Sequence, residues 1–416
     1  MRDGVDPAER DAWAILATIH GLGPVAFAAL LARFGSAAAI LEAAGEPGGV
    51  GRIAATRGAE GIEPIRRQAI GPDLARSIAD VAGQGPRIVG TIRALGLATV
   101  TLEDPTYPRR LLSLEMPPHV LFVRGSIAAV DPAHPVAVVG TRHPTEAGRR
   151  VSGEIAGAVT RAGGVVVSGL AVGIDGAAHA AAAEAGAPTV AVLGSGHDRL
   201  YPRAHVRLAE KIVSSGGAVV SELAPGYEAT RGTFPRRNRL ISGLADATVV
   251  VEAGHRSGAL VTADWALEQG RECFVVPGPL HAPASAGCLA FLRAYPGQAR
   301  IVAGVAELIE DLGLGEAARG EGAGASSDGA AGRGDGPAGG EPSERARWLA
   351  LDLGPVERCL LERLERGPAT VDDLVVAAAV PVAAVLGALT LLEIRGLASG
   401  AYGRYHAVTQ PARRSA

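Results

Sequence analysis

Nine consecutive residues, Arg231-Gly232-Thr233-Phe234-Pro235-Arg236-Arg237-Asn238-Arg239, bring four arginines, an asparagine and an aromatic ring together. Guanidinium forks pair with phosphate oxygens and a phenyl face stacks on an unpaired base, so the combination suits single-stranded nucleic acid. The same arginines could instead form structural ion pairs with acids such as Glu222 and Glu252. The expectation is that the set divides between the two uses. The surroundings favour a polyanion, because eight basic residues lie between Arg199 and Arg239 against three acids, in a chain whose net charge is −3.

A second group of candidates lies at the ends of short apolar segments: Gly140-Thr141-Arg142, Ser168-Gly169-Leu170, Gly194-Ser195-Gly196, Ser221-Glu222, Glu252-Ala253-Gly254 and Pro277-Gly278. Small residues there let backbone approach a ligand closely, and helix N-termini point their free N–H groups at it. Gly140-Thr141-Arg142-His143-Pro144 lacks the G-x-G-x-x-G spacing of a dinucleotide site, and the chain has no G-x-x-x-x-G-K-[ST] phosphate loop. Asp175 and His179, four apart, would share a helix face. They read as an acid–base pair or, preferably, as a helix cap and a buried histidine. The histidines show no metal-ligand spacing and no serine nucleophile elbow is present, so no catalytic residue, metal or cofactor is expected.

The elements that must hold these residues are legible from periodicity. Val136–Val139, Val165–Val167, Thr189–Leu193, Ala218–Val220, Ala247–Val251 and Cys273–Val276 are short, β-branched and apolar on both faces, with helical segments between them. They predict a doubly wound, Rossmann-like parallel α/β sheet covered by helices on both sides. Ligands of such sheets sit outside the carboxyl ends of the strands. Upstream, short helices flank Ile19-His20-Gly21-Leu22-Gly23-Pro24. That spacing reads either as a phosphate-binding helix-hairpin-helix or as a turn kept for packing.

Residues 313–344 lack periodicity and read as a flexible linker, spanning on the order of 30 Å as a coil. Beyond it, Val356–Glu365, Val371–Ala379 and Val382–Arg395 predict three helices, with Thr370 capping the second and Pro381 opening the third; residues 396–405 predict a hairpin. Together they form a winged helix. Its third helix offers almost nothing to read a base edge, which favours a protein-contact role. The expected domains are thus 1–104 (helical, with the helix-hairpin-helix), 105–312 (Rossmann-like), 313–344 (linker) and 345–416 (winged helix). No apolar run approaches the roughly 20 residues of a membrane span. The acidic N-terminus does not suit a signal peptide, and three dispersed cysteines build no disulfide framework, so a reducing cytoplasm is expected.

With these residues in view, the sequence resembles the DNA-processing protein A family (DprA, also called Smf). The resemblance rests on Val138-Val139-Gly140-Thr141-Arg142, Val167-Ser168-Gly169-Leu170-Ala171-Val172-Gly173-Ile174-Asp175 with His179, and Ala191 to Gly196 through Tyr201-Pro202. It continues through Phe234 to Ile241, Ser257 to Ala263 and Val276-Pro277-Gly278. It implies a non-enzymatic, homodimeric protein that binds single-stranded DNA and loads the RecA recombinase in natural transformation. Arg142 would contact phosphate. Arg203, Arg231 and Phe234 fall where the family places basic and aromatic DNA contacts, and Arg237, Asn238 and Arg239 match its Arg-Asn-Arg signature. Gly140, Thr141, Ser168 and Gly169 complete the expected binding set. One departure follows Pro277-Gly278, where Gly287-Cys288-Leu289 through Gln298 replaces the family's Gly-Thr-Asn stretch. The alternative on the same architecture is a nucleotide-cleaving hydrolase of the lysine-decarboxylase-like group, with Glu222 or Glu252 as its acid. The Pro-Gly-Gly-x-Gly-Thr stretch of such enzymes is missing.

Overall fold

The computed structural model describes residues 5–56, 70–314, 355–364, 369–378, 380, 385, 388–389, 392, 397–401 and 404–407. The chain divides into two compact units, Met1–Ala323 and Gly324–Ala416.

The first unit opens with helices α1 (Pro7–Leu16), α2 (Pro24–Phe34), α3 (Ala37–Gly45), α4 (Gly49–Ala54), α5 (Pro72–Ala82) and α6 (Gly85–Ala94). Proline at the first position of α1, α2 and α5 costs no hydrogen bond there and presets the helical φ. Their apolar faces close around Trp13, Leu16, Leu30, Ile40 and Ile78. The same core takes in Val120 and Phe122 of the sheet. Arg10 also pairs with Asp104, whose carboxylate accepts from the Thr101 N–H at 2.7 Å. Helices and sheet therefore share an interior across the boundary expected at residue 104.

The sheet strands are β1 (Ala98–Thr101), β2 (Val120–Gly125), β3 (Pro135–Val139), β4 (Val165–Ser168), β5 (Thr189–Val192), β6 (Ala218–Ser221), β7 (Ala247–Val250), β8 (Glu272–Val275) and β9 (Ala299–Ile301). They lie in the order β1-β2-β6-β5-β4-β3-β7-β8-β9. From β6 to β9 every pairing is parallel, but β2 runs antiparallel to both β1 and β6. The sheet is thus mixed, with the six expected strands in its parallel part. Helices α7 (Arg109–Leu112), α8 (Glu146–Arg161), α9 (Ile174–Glu184), α10 (Val206–Ser214), α11 (Thr233–Gly243), α12 (Gly258–Glu268), α13 (Ala286–Ala294) and α14 (Val305–Asp311) connect them. Alternation along β3 sends its side chains to both faces: Val136 and Val138 pack with Ile155 and Ala178, while Ala137 and Val139 pack with Leu240 and Ala263.

The chain leaves β3 towards β4 on one side, whereas β7 pairs on the other, with Val139 opposite Val250. The topological switch point lies between these two strands.

In the second unit, α15 (Pro355–Leu364), β10 (Ala369–Thr370), α16 (Val371–Ala378), β11 (Ala398–Ala401) and β12 (Arg404–Ala407) are described. Thr370 does cap α16, its hydroxyl accepting from the Asp373 N–H at 3.2 Å while Asp373 accepts from the Thr370 N–H at 2.9 Å. Strands β11 and β12 form the expected hairpin. The linker from 315 onward, Pro381 and most of the third helix lie outside the described residues. Of that helix, Val385, Ala388, Leu389 and Leu392 are buried in the unit's core. Among the described residues no single helix is long and apolar enough to cross a membrane.

Candidate functional site

The turn after β3 is clamped from two sides. Thr141 donates its N–H to the Glu252 carbonyl at 2.7 Å, and its own carbonyl accepts from the Ile174 N–H at 3.2 Å. Gly173, at φ +93°, allows this approach, because a Cβ there would collide with the Thr141 carbonyl. The clamp delivers Arg142 to the rim, exposed, with its guanidinium carbon 5.0 Å from the centre of the Phe234 ring. Phe234 sits in the first turn of α11. That turn is fixed by Thr230 and Thr233, each of whose hydroxyls accepts from the other's N–H, at 3.3 and 3.0 Å. Tyr201, half exposed, approaches Phe234 from the β5 side at 5.7 Å between ring centres.

The next arginines turn inward. Arg237 is 4% exposed, and its Nη1 donates to the carbonyls of Gly169 at 2.6 Å and Val192 at 2.5 Å, the ends of β4 and β5. Burial pulls its guanidinium down to about 10, opposed by the charge of Asp175, so it remains cationic at neutral pH. Asn238 donates to the Gly258 carbonyl at 3.0 Å. Arg239 bridges the Met116 carbonyl at 2.9 Å and the Glu222 carboxylate at 2.5 Å. Arg236 is mostly exposed and stands 3.4 Å from the other Glu222 oxygen. The expected arginine pairing with Glu222 is therefore present. Glu252 differs: it accepts from the N–H and hydroxyl of Thr145, both at 3.1 Å, and so holds the N-cap residue of α8 instead of pairing with an arginine.

The expected binding set thus separates into two layers. Gly140, Thr141, Arg142, Arg203, Arg231 and Phe234 reach the surface at least in part, and Ser168, Gly169, Arg237, Asn238 and Arg239 are buried beneath them. Arg203 and Arg231 are exposed and make no ion pair among the described residues. Ser168 donates to the Val138 carbonyl at 2.6 Å, and Gly169 is covered by Arg237.

Asp175 and His179 are both buried; His179 is the expected buried histidine, but Asp175 bonds back to the end of β4 and does not cap α9. Asp175 accepts from the Gly169 N–H at 3.1 Å, and burial raises its carboxyl. His179 pairs through Nδ1 with the Thr189 hydroxyl at 2.8 Å, and burial holds it at about 3, neutral at physiological pH. Among the described residues no cluster of three His, Cys, Asp or Glu could hold a metal, and Cys273 and Cys288 are buried thiols.

Two clefts open at the strand ends. One, about 500 Å³, lies at the switch point against Gly140, Thr141, Arg142, Phe234, Arg256 and Thr262. The other, about 800 Å³, runs between the 19–24 hairpin and the start of α11. Arg237 lines both. Sequence reasoning missed Arg256 and Tyr201 as rim residues. Tyr201-Pro202 belongs to the motifs that carry the resemblance, but nothing in its spacing reveals that the ring faces Phe234.

The fold is thus a Rossmann-like sheet with an arginine- and aromatic-rimmed cleft at its switch point, where sheets of this class take their ligands. The family model described as DNA recombination-mediator protein A matches residues 98–313, and the model of the DprA winged helix domain matches 344–403. The DNA processing protein DprA of Bacillus subtilis is 38% identical over 208 residues, half of this chain and 70% of that protein. A putative DprA of Mycobacterium tuberculosis is 41% identical over 293 residues, 69% of this chain and 68% of its own. The crystal structure of DprA from Streptococcus pneumoniae, 27% identical, superposes with a TM-score of 0.57 over 71% of this chain and 95% of that one. The chain belongs to the DprA/Smf family.

Proposed function

We propose that the protein binds single-stranded DNA across the carboxyl ends of β3 to β7, without chemistry of its own. Family membership extends the proposal to loading of the RecA recombinase during DNA-mediated transformation, as a homodimer in the cytoplasm. The observation that carries it is the rim: exposed Arg142 over Phe234 beside Tyr201, with Arg203 and Arg231 free of ion pairs among the described residues. Cations track phosphates and rings accept unpaired bases irrespective of sequence. In this reading Ser168, Gly169, Arg237, Asn238 and Arg239 hold the strand ends in place and do not touch DNA. The hydrolase alternative needs a strand-end carboxylate free to act. Glu222 already carries Arg239 and Arg236, and Glu252 carries Thr145, so neither is assigned a catalytic step.

Anisotropy titrations of single- and double-stranded oligonucleotides at several salt concentrations test the proposal. Arg142→Ala and Arg231→Ala each weaken single-strand binding by about 1–3 kcal/mol, the worth of a hydrogen bond between charged groups. Each also flattens the log–log salt dependence by about 0.7 per phosphate lost. Phe234→Ala loses on the order of 1–3 kcal/mol of stacking with the slope unchanged, since a phenyl ring displaces no counterion. Three variants that bind like the parent would overturn the assignment of the site.

A further inference from the structure

The larger cleft is not needed by the rim site, yet it abuts it. Its walls bring together parts of the chain far apart in sequence: the hairpin His20-Gly21-Leu22-Gly23 between α1 and α2, the stretch from Pro117 to Val120 that enters β2, and the segment from Glu222 to Arg236 that leads into α11. His20 is exposed and lies flat on Tyr227, with ring centres 4.8 Å apart and planes 11° apart. Tyr227 is held by its hydroxyl, which donates to the Thr18 carbonyl at 3.2 Å. The outer face of the stacked pair therefore belongs to a histidine with a fixed partner behind it.

The charges around the cleft are partly spent. Glu222 is neutralised by Arg239 at 2.5 Å, and exposed Glu228 lies 3.9 Å from Arg199. Arg236 keeps most of its surface in solvent at 3.4 Å from Glu222 and can reach an anion in the cleft. The start of α11 borders both clefts: Thr233 and Arg236 line this one, Phe234 and Pro235 the switch-point cleft, and Arg237 both. A volume of about 800 Å³ is within the range of sites that enclose small organic ligands, a nucleotide among them.

We propose that this cleft is a second nucleotide subsite, in which the His20–Tyr227 pair stacks an unpaired base and Arg236 meets the adjoining phosphate. The strand would cross the start of α11 from the rim site and end against the N-terminal hairpin. The helical region then serves as the far wall of the DNA groove. This rests on single-strand binding at the rim and specifies how far the contact extends. Stacking on an aromatic face requires no base identity, so the subsite lengthens the footprint without adding sequence preference.

The test uses the full chain with oligothymidylates of two lengths, about six and about fifteen nucleotides, site sizes in the range of single-strand-binding folds. His20→Ala is expected to leave the short oligomer unaffected and to weaken the long one about five- to tenfold, with His20→Trp restoring it. Arg142→Ala weakens both. A long oligomer carrying 5-iododeoxyuridine, irradiated on the protein, should crosslink to the peptide that holds His20 or Tyr227. If Arg142→Ala weakens both lengths while His20→Ala binds both like the parent and no such crosslink forms, the second subsite is refuted and the rim site stands. If the parent binds neither oligomer, both readings fall together.

Discussion

Arg237 is the residue on which sequence and structure pull hardest in different directions, and its removal separates them. Arg237→Ala leaves the carbonyls of Gly169 and Val192 unpaired at the ends of β4 and β5, and strips buried Asp175 of its nearest positive charge. Hydrogen bonds from a charged donor are worth about 1.5–3 kcal/mol each, so the pair amounts to roughly 3–6 kcal/mol. Relief from burying the guanidinium, the effect that lowers its pKa, offsets part of this. A net loss of about 3–4 kcal/mol follows, which lowers Tm by about 5 °C in a unit of roughly 300 residues. Arg142→Ala, at an exposed position, should leave Tm within about 2 °C of the parent. Circular dichroism melts of the two variants, set beside their single-strand affinities, make the comparison. Arg237→Lys should recover only part of the loss, because an ammonium keeps a charge near Asp175 but cannot reproduce the guanidinium's fork. An Arg237→Ala protein that melts with the parent yet loses affinity and salt slope would refute the reasoning, and would place this guanidinium on the DNA.

His119 lies just before β2, its ring 4.5 Å from that of Phe27. Burial holds it at about 4 against an unfolded value near 6.5, so the unfolded chain takes up the proton first as pH falls and stability is lost from about pH 6.5 down to about 4. That loss reaches about 2 kcal/mol by pH 5, and urea titrations of His119→Phe at pH 7 and pH 5 should show the difference between the two pH values shrink by that amount. A fragment ending at Leu314 should keep single-strand affinity within about tenfold, or about 1.4 kcal/mol, of the full chain in the same anisotropy assay. A larger loss would make the winged helix a principal DNA site. Sedimentation at micromolar concentration should show a dimer; a clean monomer would put the departure from the family pattern at Cys288–Gln298 in the place of a lost interface.

The parallel part of the sheet was legible because each strand is buried on both faces and so appears as an unbroken β-branched run. Val165–Ser168 and Ala247–Val250 are buried at every position, and the periodicity places them to within a residue. The strands it misses lack that signature. β1 and β9 lie at the two edges of the sheet, where Thr99 and Ile301 reach solvent and break the buried run. β2 is apolar enough, but its pairing is antiparallel and reaches across to β6, a partner almost a hundred residues away. No local pattern carries that information.

The site was legible by residue type and not by depth. Arg231, Arg236, Arg237 and Arg239 look alike in one segment, yet Arg231 lies in the turn before α11 and the helical period sends the other three to different environments. Phe234 and Arg237 are three apart and face the same strand ends, one ring at the mouth and one guanidinium beneath it. Arg236 and Arg239 are also three apart, and both turn to Glu222. The Arg-Asn-Arg run therefore belongs to the fold, because it ties α11 to β4, β5 and β6 through Gly169, Val192 and Glu222. On the proposed reading the motif holds the strand ends in place, and the exposed rim residues meet the DNA. On that argument the salt slope should follow the exposed arginines, Arg142, Arg203, Arg231 and Arg236, and no substitution at Arg239 that still folds should change it.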